Sequence, residues 1–473
     1  MTEPQPITAP AATLRELLGP EHRGILAGLL TLVFFVAFEA IAVATAMPVI
    51  ATSLSGLSFY AWGFSAFVVG QMVGTVAGGR WTDRFGPTMP LVAGSIMFGI
   101  GLLVAGVAPL MGVFVLGRLL QGLGSGPMMV ALWGVMGRGI PGRLRPRVIA
   151  LQSTAWLMPA LIGPFIAGTV TQHLSWRWLF LGLLVLLPLP LLAILPKLTH
   201  LTLEPTEPAA GTSQIWWAVA VAAGVGCVQF AGQTLRWWSV PLALVGVALV
   251  LPGAKALFPS GTFRVRRGLP ALVVQRGLLC GCFFGAESFV PLILVDVRGL
   301  SPTLAGLTLT AGAIGWTAGS WFQGRPTLAQ PREQLVRYGA VSITLGVLAV
   351  FTVVWPGVPV WVASLAWIAG GLGMGLSMAC MGVLLLSTAA QSEQGHVAAS
   401  AQISDTLSTA MTVGFAGILF AYLHTRHGAV ATFVPIAVAV GCLGVLGIWV
   451  AGRLPSERVS TTGGTTSGRV RTA

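Results

Sequence analysis

Charge is what this sequence has least of. Only 8% of its 473 residues are Asp, Glu, Lys or Arg, against roughly a quarter in a soluble domain. Acids are scarcest, 13 against 26 bases, and lysine is nearly missing, with Lys197 and Lys255 alone. Such a chain has no water-facing surface over most of its length. Neither lysine sits in a Gly-x-x-x-x-Gly-Lys-Ser/Thr loop, which excludes an ATP-driven pump with that phosphate cradle. The six histidines fall in loops or tails with no His-Glu-x-x-His pair, so the grouped catalytic residues of a membrane-embedded enzyme are missing. Cys227, Cys280, Cys282, Cys380 and Cys442 all lie in apolar stretches, where a small side chain packs much as Ala does. Cys280 and Cys282 are two apart on a helix and face different sides, so they share no metal. No cofactor or metal is expected.

Apolar length is what the chain has instead. Hydrophobic residues make up 55%, and they fall in repeated blocks of the roughly 20 residues that a helix needs to cross a bilayer. Fourteen such spans are expected, near 25–47, 59–79, 89–109, 112–134, 150–171, 178–196, 214–232, 237–253, 270–293, 303–323, 338–356, 361–387, 399–422 and 430–451. The runs are continuous, without the period-two alternation of a transmembrane strand, so the fold class is an all-α integral membrane protein. A twelve-span reading, with 214–256 as one interfacial hairpin, is the architectural alternative.

The net charge of +13 raises nucleic-acid binding, and the placement of the bases decides against it. With the N-terminus in the cytoplasm, twenty of the 26 Lys and Arg fall in inside segments. Outside loops hold only Arg177, Arg236, Arg298 and Arg426, with Arg118 and Arg276 inside spans. That is the positive-inside bias of a multi-pass protein with both termini cytoplasmic. Residues 1–23 carry no short apolar core with a small-residue cleavage site, so no removable signal peptide is expected.

Glycine motifs recur in order. Gly74 to Gly79 resembles Gly315 to Ser320, Gly122-Leu-Gly-Ser-Gly126 resembles Gly371-Leu-Gly-Met-Gly375, and Gln152 and Gly163 are matched by Gln402 and Gly414. These matches pair spans 1–6 with spans 9–14, as in transporters that rock around a midplane site. The expected organisation is a cytoplasmic segment 1–23, a six-helix bundle 24–197, a loop 198–213, two inserted helices 214–256, a linker 257–269, a second six-helix bundle 270–452 and a disordered tail 453–473.

These motifs resemble a known family. Gly79-Arg-Trp-Thr-Asp83-Arg84-Phe-Gly86, between spans 2 and 3, looks like the signature loop of the major facilitator superfamily. Arg118-Leu-Leu-Gln121-Gly122 resembles its fourth-span motif, and Pro159-Ala-Leu-Ile-Gly163-Pro164 its fifth-span antiporter motif. Glu39, ahead of Met47-Pro48, is similar to the acidic first-span site of the fourteen-span drug:proton antiporters. Pro87 and Thr88 replace the basic residues usual after the signature loop, Pro159 stands where glycine is expected, and Ala167 replaces another glycine. The resemblance implies the major facilitator fold, two six-helix bundles plus two inserted helices. It also implies proton-coupled export of drugs or other hydrophobic solutes, with Gly79, Asp83, Arg84, Gly86, Pro159, Gly163 and Pro164 as conformational motifs.

Ionisable groups at lipid depth cost roughly 2.5–3.5 kcal/mol each on insertion scales, so each is a functional candidate. Glu39, Arg118, Glu287 and Asp405 are the expected proton-coupling residues. A carboxyl taken out of water favours its neutral form and one beside an Arg its charged form, so a change of partner can load and release a proton. The packing alternatives are specific: Arg118 as a tether between helices, Asp405 within reach of loop arginines, Glu287 hydrated from the outer vestibule, and Arg276 snorkelling to the inner interface. Phe35 and Val43 share a face with Glu39 by helical spacing, and with Gln121, Trp156 and Phe284 they are the candidate solute-binding residues. Expected partners are a hydrophobic small molecule, cationic or neutral, protons and the lipid bilayer of the cell membrane, with no nucleic acid, the protein acting as a monomer. The alternatives are a proton symporter or lipid-type exporter on the same scaffold, then a passive channel or non-transporting sensor.

Overall fold

The computed structural model describes residues 16, 18–141, 144–198, 213–234, 237–323, 330–388, 394–424 and 426–455. Most of the expected loop 198–213 and the tail from Ser456 lie outside the described residues. Long helices account for nearly all of the rest: α1 (Arg23–Ser53), α2 (Trp62–Phe85), α3 (Thr88–Gly106), α4 (Met111–Gly139), α5 (Arg145–His173), α6 (Arg177–Leu198), α7 (Ser213–Thr234), α8 (Ser239–Leu257), α9 (Leu269–Glu287), α10 (Pro302–Gln323), α11 (Arg332–Phe351), α12 (Trp361–Thr388), α13 (Gln394–Leu423) and α14 (Ala429–Ala451). Among the described residues there is no strand. Thirteen of these helices are long and apolar enough to cross a membrane. The remaining one, α10, is diluted by four Thr and four Gly, and it packs between α5 and α12.

Two of these helices are interrupted beside a proline, and others run through theirs. α6 is interrupted at Leu187, which keeps helical angles (φ −57°, ψ −35°), and the chain resumes as helix at Pro188, a residue with no backbone donor to offer the preceding turn. α9 loses its regular ladder after Glu287, passing through the short turn Val290–Leu292 around Pro291 into a π-turn at Ile293–Val297. α5 runs through both Pro159 and Pro164. Each proline removes one backbone donor inside the helix.

Helices α1–α6 pack on one another chiefly through α2 on α4, α3 on α4 and α1 on α5; helices α9–α14 repeat the scheme with α10 on α12, α11 on α12 and α9 on α13. Apolar side chains gain nothing from leaving lipid for one another, so close backbone approach through small residues holds such crossings. Added methyls at Gly70 and Gly74 would strike the backbone at Leu119 and Leu123 of α4. Added methyls at Gly315 and Gly319 would strike Ile368 and Leu372 of α12 in the same way. The structural partner of Gly315 is therefore Gly70, one turn earlier than the sequence match to Gly74 suggested. A stripe of glycines four apart matches itself equally well after a shift of four, and only the facing helix sets the register. Gly122 and Gly126 on α4, and Gly371 and Gly375 on α12, meet the opposing backbone just as closely.

Call the end of the bundle bearing Arg23 and Ala451 proximal, and the end bearing the α1–α2 and α9–α10 connections distal. The distal end is closed. Tyr60 donates its hydroxyl to the Ser288 carbonyl at 2.7 Å, joining the α1–α2 connection to the end of α9. Its ring packs against Phe289 and Phe420 at 5.6 and 6.1 Å between centroids. On the other flank, Thr310 of α10 donates to the Leu161 carbonyl of α5 at 3.2 Å and Thr303 to Gln172 at 3.1 Å.

Candidate functional site

The apolar run of α1 places Glu39 mid-helix, 2% exposed, and α4 places Arg118 opposite it, also 2% exposed. The two form an ion pair. A buried charge is tolerated only when its hydrogen-bonding capacity is largely met, and Arg118 finds acceptors on three helices. Its Nε donates to the Gly63 carbonyl of α2 at 2.8 Å, and its Nη1 donates both to the Glu39 carboxylate and to Gln121 Oε1. Its guanidinium lies 4.6 Å over the Phe67 ring. The three-residue spacing of Arg118 and Gln121 puts both on one face of α4. Satisfaction stops there: the second oxygen of Glu39 and the amide nitrogen of Gln121 are buried without a partner among the described residues.

The second half replaces this pair with rings. Arg118 stands four residues before Gly122, and Trp367 stands four before Gly371, facing the matching part of α10. Trp367 is fully buried and stacks on Phe283 of α9, centroids 4.7 Å apart at 18°. Phe284 and Trp316 extend the cluster; each meets Phe283 at 5.5–5.9 Å and both are only partly buried. The Trp367 indole nitrogen has no hydrogen-bond partner among the described residues. An ion pair between α1 and α4 thus corresponds to an aromatic stack between α9 and α12.

Asp405 of α13 pairs with Arg276 of α9, not with loop arginines, and Arg276 points into the bundle instead of snorkelling outward. Arg276 Nε donates to both carboxylate oxygens at 3.1 and 3.2 Å, with Nη2 on Oδ2. The side chains stay 20% and 12% exposed, a wetter setting than the Glu39 pair. Glu287 ends the regular part of α9, half-buried, and has no ion-pair partner among the described residues. Of the four expected proton-coupling residues, the fold brings together only Glu39 and Arg118.

The remaining expected residues divide. Gln121 is committed to Arg118. Phe35 and Val43 are buried in packed core, so sharing a face with Glu39 does not put them on an open surface. Trp156 is 46% exposed on α5. Phe284 belongs to the aromatic cluster. Gly86 ends α2 with φ 76°, a left-handed conformation that favours glycine. Gly79 has open space beside it, Arg84 is exposed over the Phe85 ring at 5.2 Å, and the Asp83 side chain lies outside the described residues. Pro159, Gly163 and Pro164 lie within α5, where Gly163 faces Ile41 and Phe38 of α1 and Pro164 abuts Gly306 of α10.

Sequence reasoning missed Tyr60, Phe283, Trp316 and Trp367. The signal for Trp367 was present, since alignment of Gly122 with Gly371 puts it at the position of Arg118. Tyr60 carried none, because its acceptor is a backbone carbonyl 228 residues away. A cavity of about 840 Å³ lies at the distal ends of α9, α11 and α14, lined by Val297, Trp355, Val434 and Pro435, away from the level of Glu39.

Two packed sets of helices of repeated design, with a charged pair buried inside one of them, define a multi-pass membrane protein built on an internal repeat. The Major Facilitator Superfamily model matches residues 29–412. The chain belongs to that family. An MFS-type transporter of Mycobacterium tuberculosis is 25% identical over 447 residues, 90% of this chain and 64% of that one; the chain thus spans about two thirds of that relative's length. The multidrug transporter protein MdtP of Bacillus subtilis is 26% identical over 423 residues, covering 86% of this chain and 76% of that one. Among solved structures, a D-xylose-proton symporter superposes with a TM-score of 0.63 at 15% identity, covering 92% of this chain and 97% of that one. A POT family transporter crystallised in meso gives 0.69 at 13%, covering 91% and 98%. At these identities the solved structures speak for the fold alone.

Proposed function

We propose that this transporter exports hydrophobic small molecules from the cell in exchange for protons, by alternating access in the cell membrane with both termini cytoplasmic. The observation that carries the reading is the Glu39–Arg118 pair, sealed from water and left one hydrogen bond short at Glu39. A charged carboxylate is held there by Arg118. A protonated one gives up the ion pair, frees Arg118 and releases the tie between α1 and α4. The proton is thus bound or shed according to how these helices sit, which is what coupling requires. The partly exposed Phe284 and Trp316 supply an apolar and aromatic surface for the solute in the other half. The names of relatives such as the probable multidrug-efflux transporter of Mycobacterium tuberculosis support the export direction.

The test is transport in proteoliposomes under an imposed pH gradient, with a panel of lipophilic cations, neutral drugs and lipids. Wild type is expected to move solute with stoichiometric proton counterflow. Glu39→Gln is expected to retain solute binding and lose at least tenfold of gradient-driven flux. Solute movement without proton flux, or Glu39→Gln matching wild type under every gradient, overturns the reading.

A further inference from the structure

The connection from α8 to α9, at the proximal end, is a fixed platform and not slack chain. At its start, Ser400 Oγ of α13 donates to the Leu257 carbonyl at 3.1 Å. Phe258 packs against an apolar cluster that holds Val221 of α7 and Ile403 of α13. Thr262 is 5% exposed and donates its hydroxyl to the Pro259 carbonyl at 2.7 Å. The Arg264 and Arg266 amides both donate to the Gly261 carbonyl, at 3.1 and 3.3 Å. Three residues take positive φ: Gly261 at 92°, Val265 at 46° and Gly268 at 98°. In a β-branched residue such as Val265 that conformation is strained, and it persists only where the surroundings enforce it. Val265 is held there by packing against the core.

This platform carries charge of one sign. Lys255, Arg264, Arg266 and Arg267 are all exposed, and no acid occurs between Glu207 and Glu287. None of these four side chains has an ion-pair or hydrogen-bond partner among the described residues. Arg145, between α4 and α5, shows the contrast: its guanidinium is committed to the Ile140 and Gly137 carbonyls. Bases fixed close together without acids repel one another, and an anion seated among them removes that repulsion. Beside them Phe263 is 55% exposed, its ring 6.2 Å from that of Phe258. An exposed ring among bases at the end of a membrane helix matches the headgroup level of a bilayer, where apolar and anionic groups lie side by side. We propose that residues 255–267 form a binding site for an anionic phospholipid at the proximal face of the membrane. The bases take the phosphate, whose oxygens match the planar fork of arginine, and Phe263 takes the first part of an acyl chain. The site is independent of the transport reading above.

The test is lipid binding to the full chain in detergent, followed by native mass spectrometry during titration with phosphatidylglycerol or phosphatidylcholine. Each base beside an anionic membrane surface is worth about fivefold in affinity. Wild type is expected to bind phosphatidylglycerol at least tenfold more tightly than phosphatidylcholine. Combining Arg264→Gln, Arg266→Gln and Arg267→Gln is expected to lose at least tenfold for phosphatidylglycerol and nothing for phosphatidylcholine. Lysine at the same three positions is expected to stay within threefold of wild type, which separates lost charge from faulty folding. The control combines Arg23→Gln, Arg138→Gln and Arg337→Gln, three exposed arginines elsewhere on the proximal face, and is expected to stay within twofold. Equal losses in the two glutamine variants mean that the whole face attracts the lipid, and overturn the site. A lysine variant as weak as its glutamine counterpart overturns it too, as does a wild type that treats the two lipids alike. Glycerol phosphate, a headgroup without chains, is expected not to displace the lipid; displacement assigns the site to a soluble phosphate and overturns the lipid assignment.

Discussion

Arg118 meets Glu39 between α4 and α1 with neither side chain reaching water, and the same guanidinium also holds Gln121 and the Gly63 carbonyl. One arginine therefore ties three helices, α1, α2 and α4, at a single point. Its energetic meaning depends on which member of the pair is removed.

Deleting the cation alone leaves Glu39 buried and unpaired, which costs about 3–5 kcal/mol when a buried pair is broken from one side. Arg118→Gln is therefore expected to lower thermal stability in detergent sharply. Arg118→Gln with Glu39→Gln is expected to recover most of the loss, because no charge remains buried. A melting series of wild type, the two single variants and the double variant checks this; a double variant as weak as Arg118→Gln would show that the tether, not the charge, carries the stability.

Gly122 packs against the Phe67 carbonyl so closely that any Cβ must displace backbone. Gly122→Ala is expected to cost about 1–3 kcal/mol, the usual range for overpacking, and to broaden the monodisperse peak on size exclusion. Gly79, with nothing within 4 Å of an added Cβ, is the matched control. Gly79→Ala is expected to fold as wild type does, although Gly79 belongs to the signature loop and Gly122 to a neighbouring motif.

The helices were legible in the sequence because each is a continuous apolar run, and the one furthest from that rule, α10, is the one that polar and small residues dilute. Glu39 and Arg118 were legible for the same reason, as charges with no local excuse inside such runs. What stayed hidden is what depends on a facing helix. Asp405 and Arg276 are 129 residues apart and pair only because α9 packs on α13. Phe35 and Val43 share the face of Glu39, yet spacing along one helix cannot tell an open surface from a packed interface.

Tyr60 closes the distal end through one hydrogen bond to Ser288 and ring contacts to Phe289 and Phe420. Tyr60→Phe keeps the rings and removes only the bond, worth about 1 kcal/mol, which moves a two-state equilibrium roughly fivefold. The distally open population is expected to rise by that factor. Alkylation of a cysteine introduced at Ser288 checks it: the rate is expected to rise in step in the Tyr60→Phe background, and an equal rate in both backgrounds assigns the closure to the rings.

Trp367 occupies the position of Arg118 in the second half and Phe283 stacks on it from α9, as Glu39 pairs with Arg118 from α1. If the correspondence is one of geometry, the site can be converted. Trp367→Arg alone buries a guanidinium beside Phe283 with no anion, and is expected to destabilise the protein by several kcal/mol, as an uncompensated buried charge does. Phe283→Glu alone is expected to do the same with the opposite sign. The double variant supplies both partners between two helices already in close contact, so it is expected to be more stable than either single variant, with a coupling of at least 1 kcal/mol in a double-mutant cycle. Additive losses in that cycle would mean that the two sites share a place in the repeat without sharing its geometry.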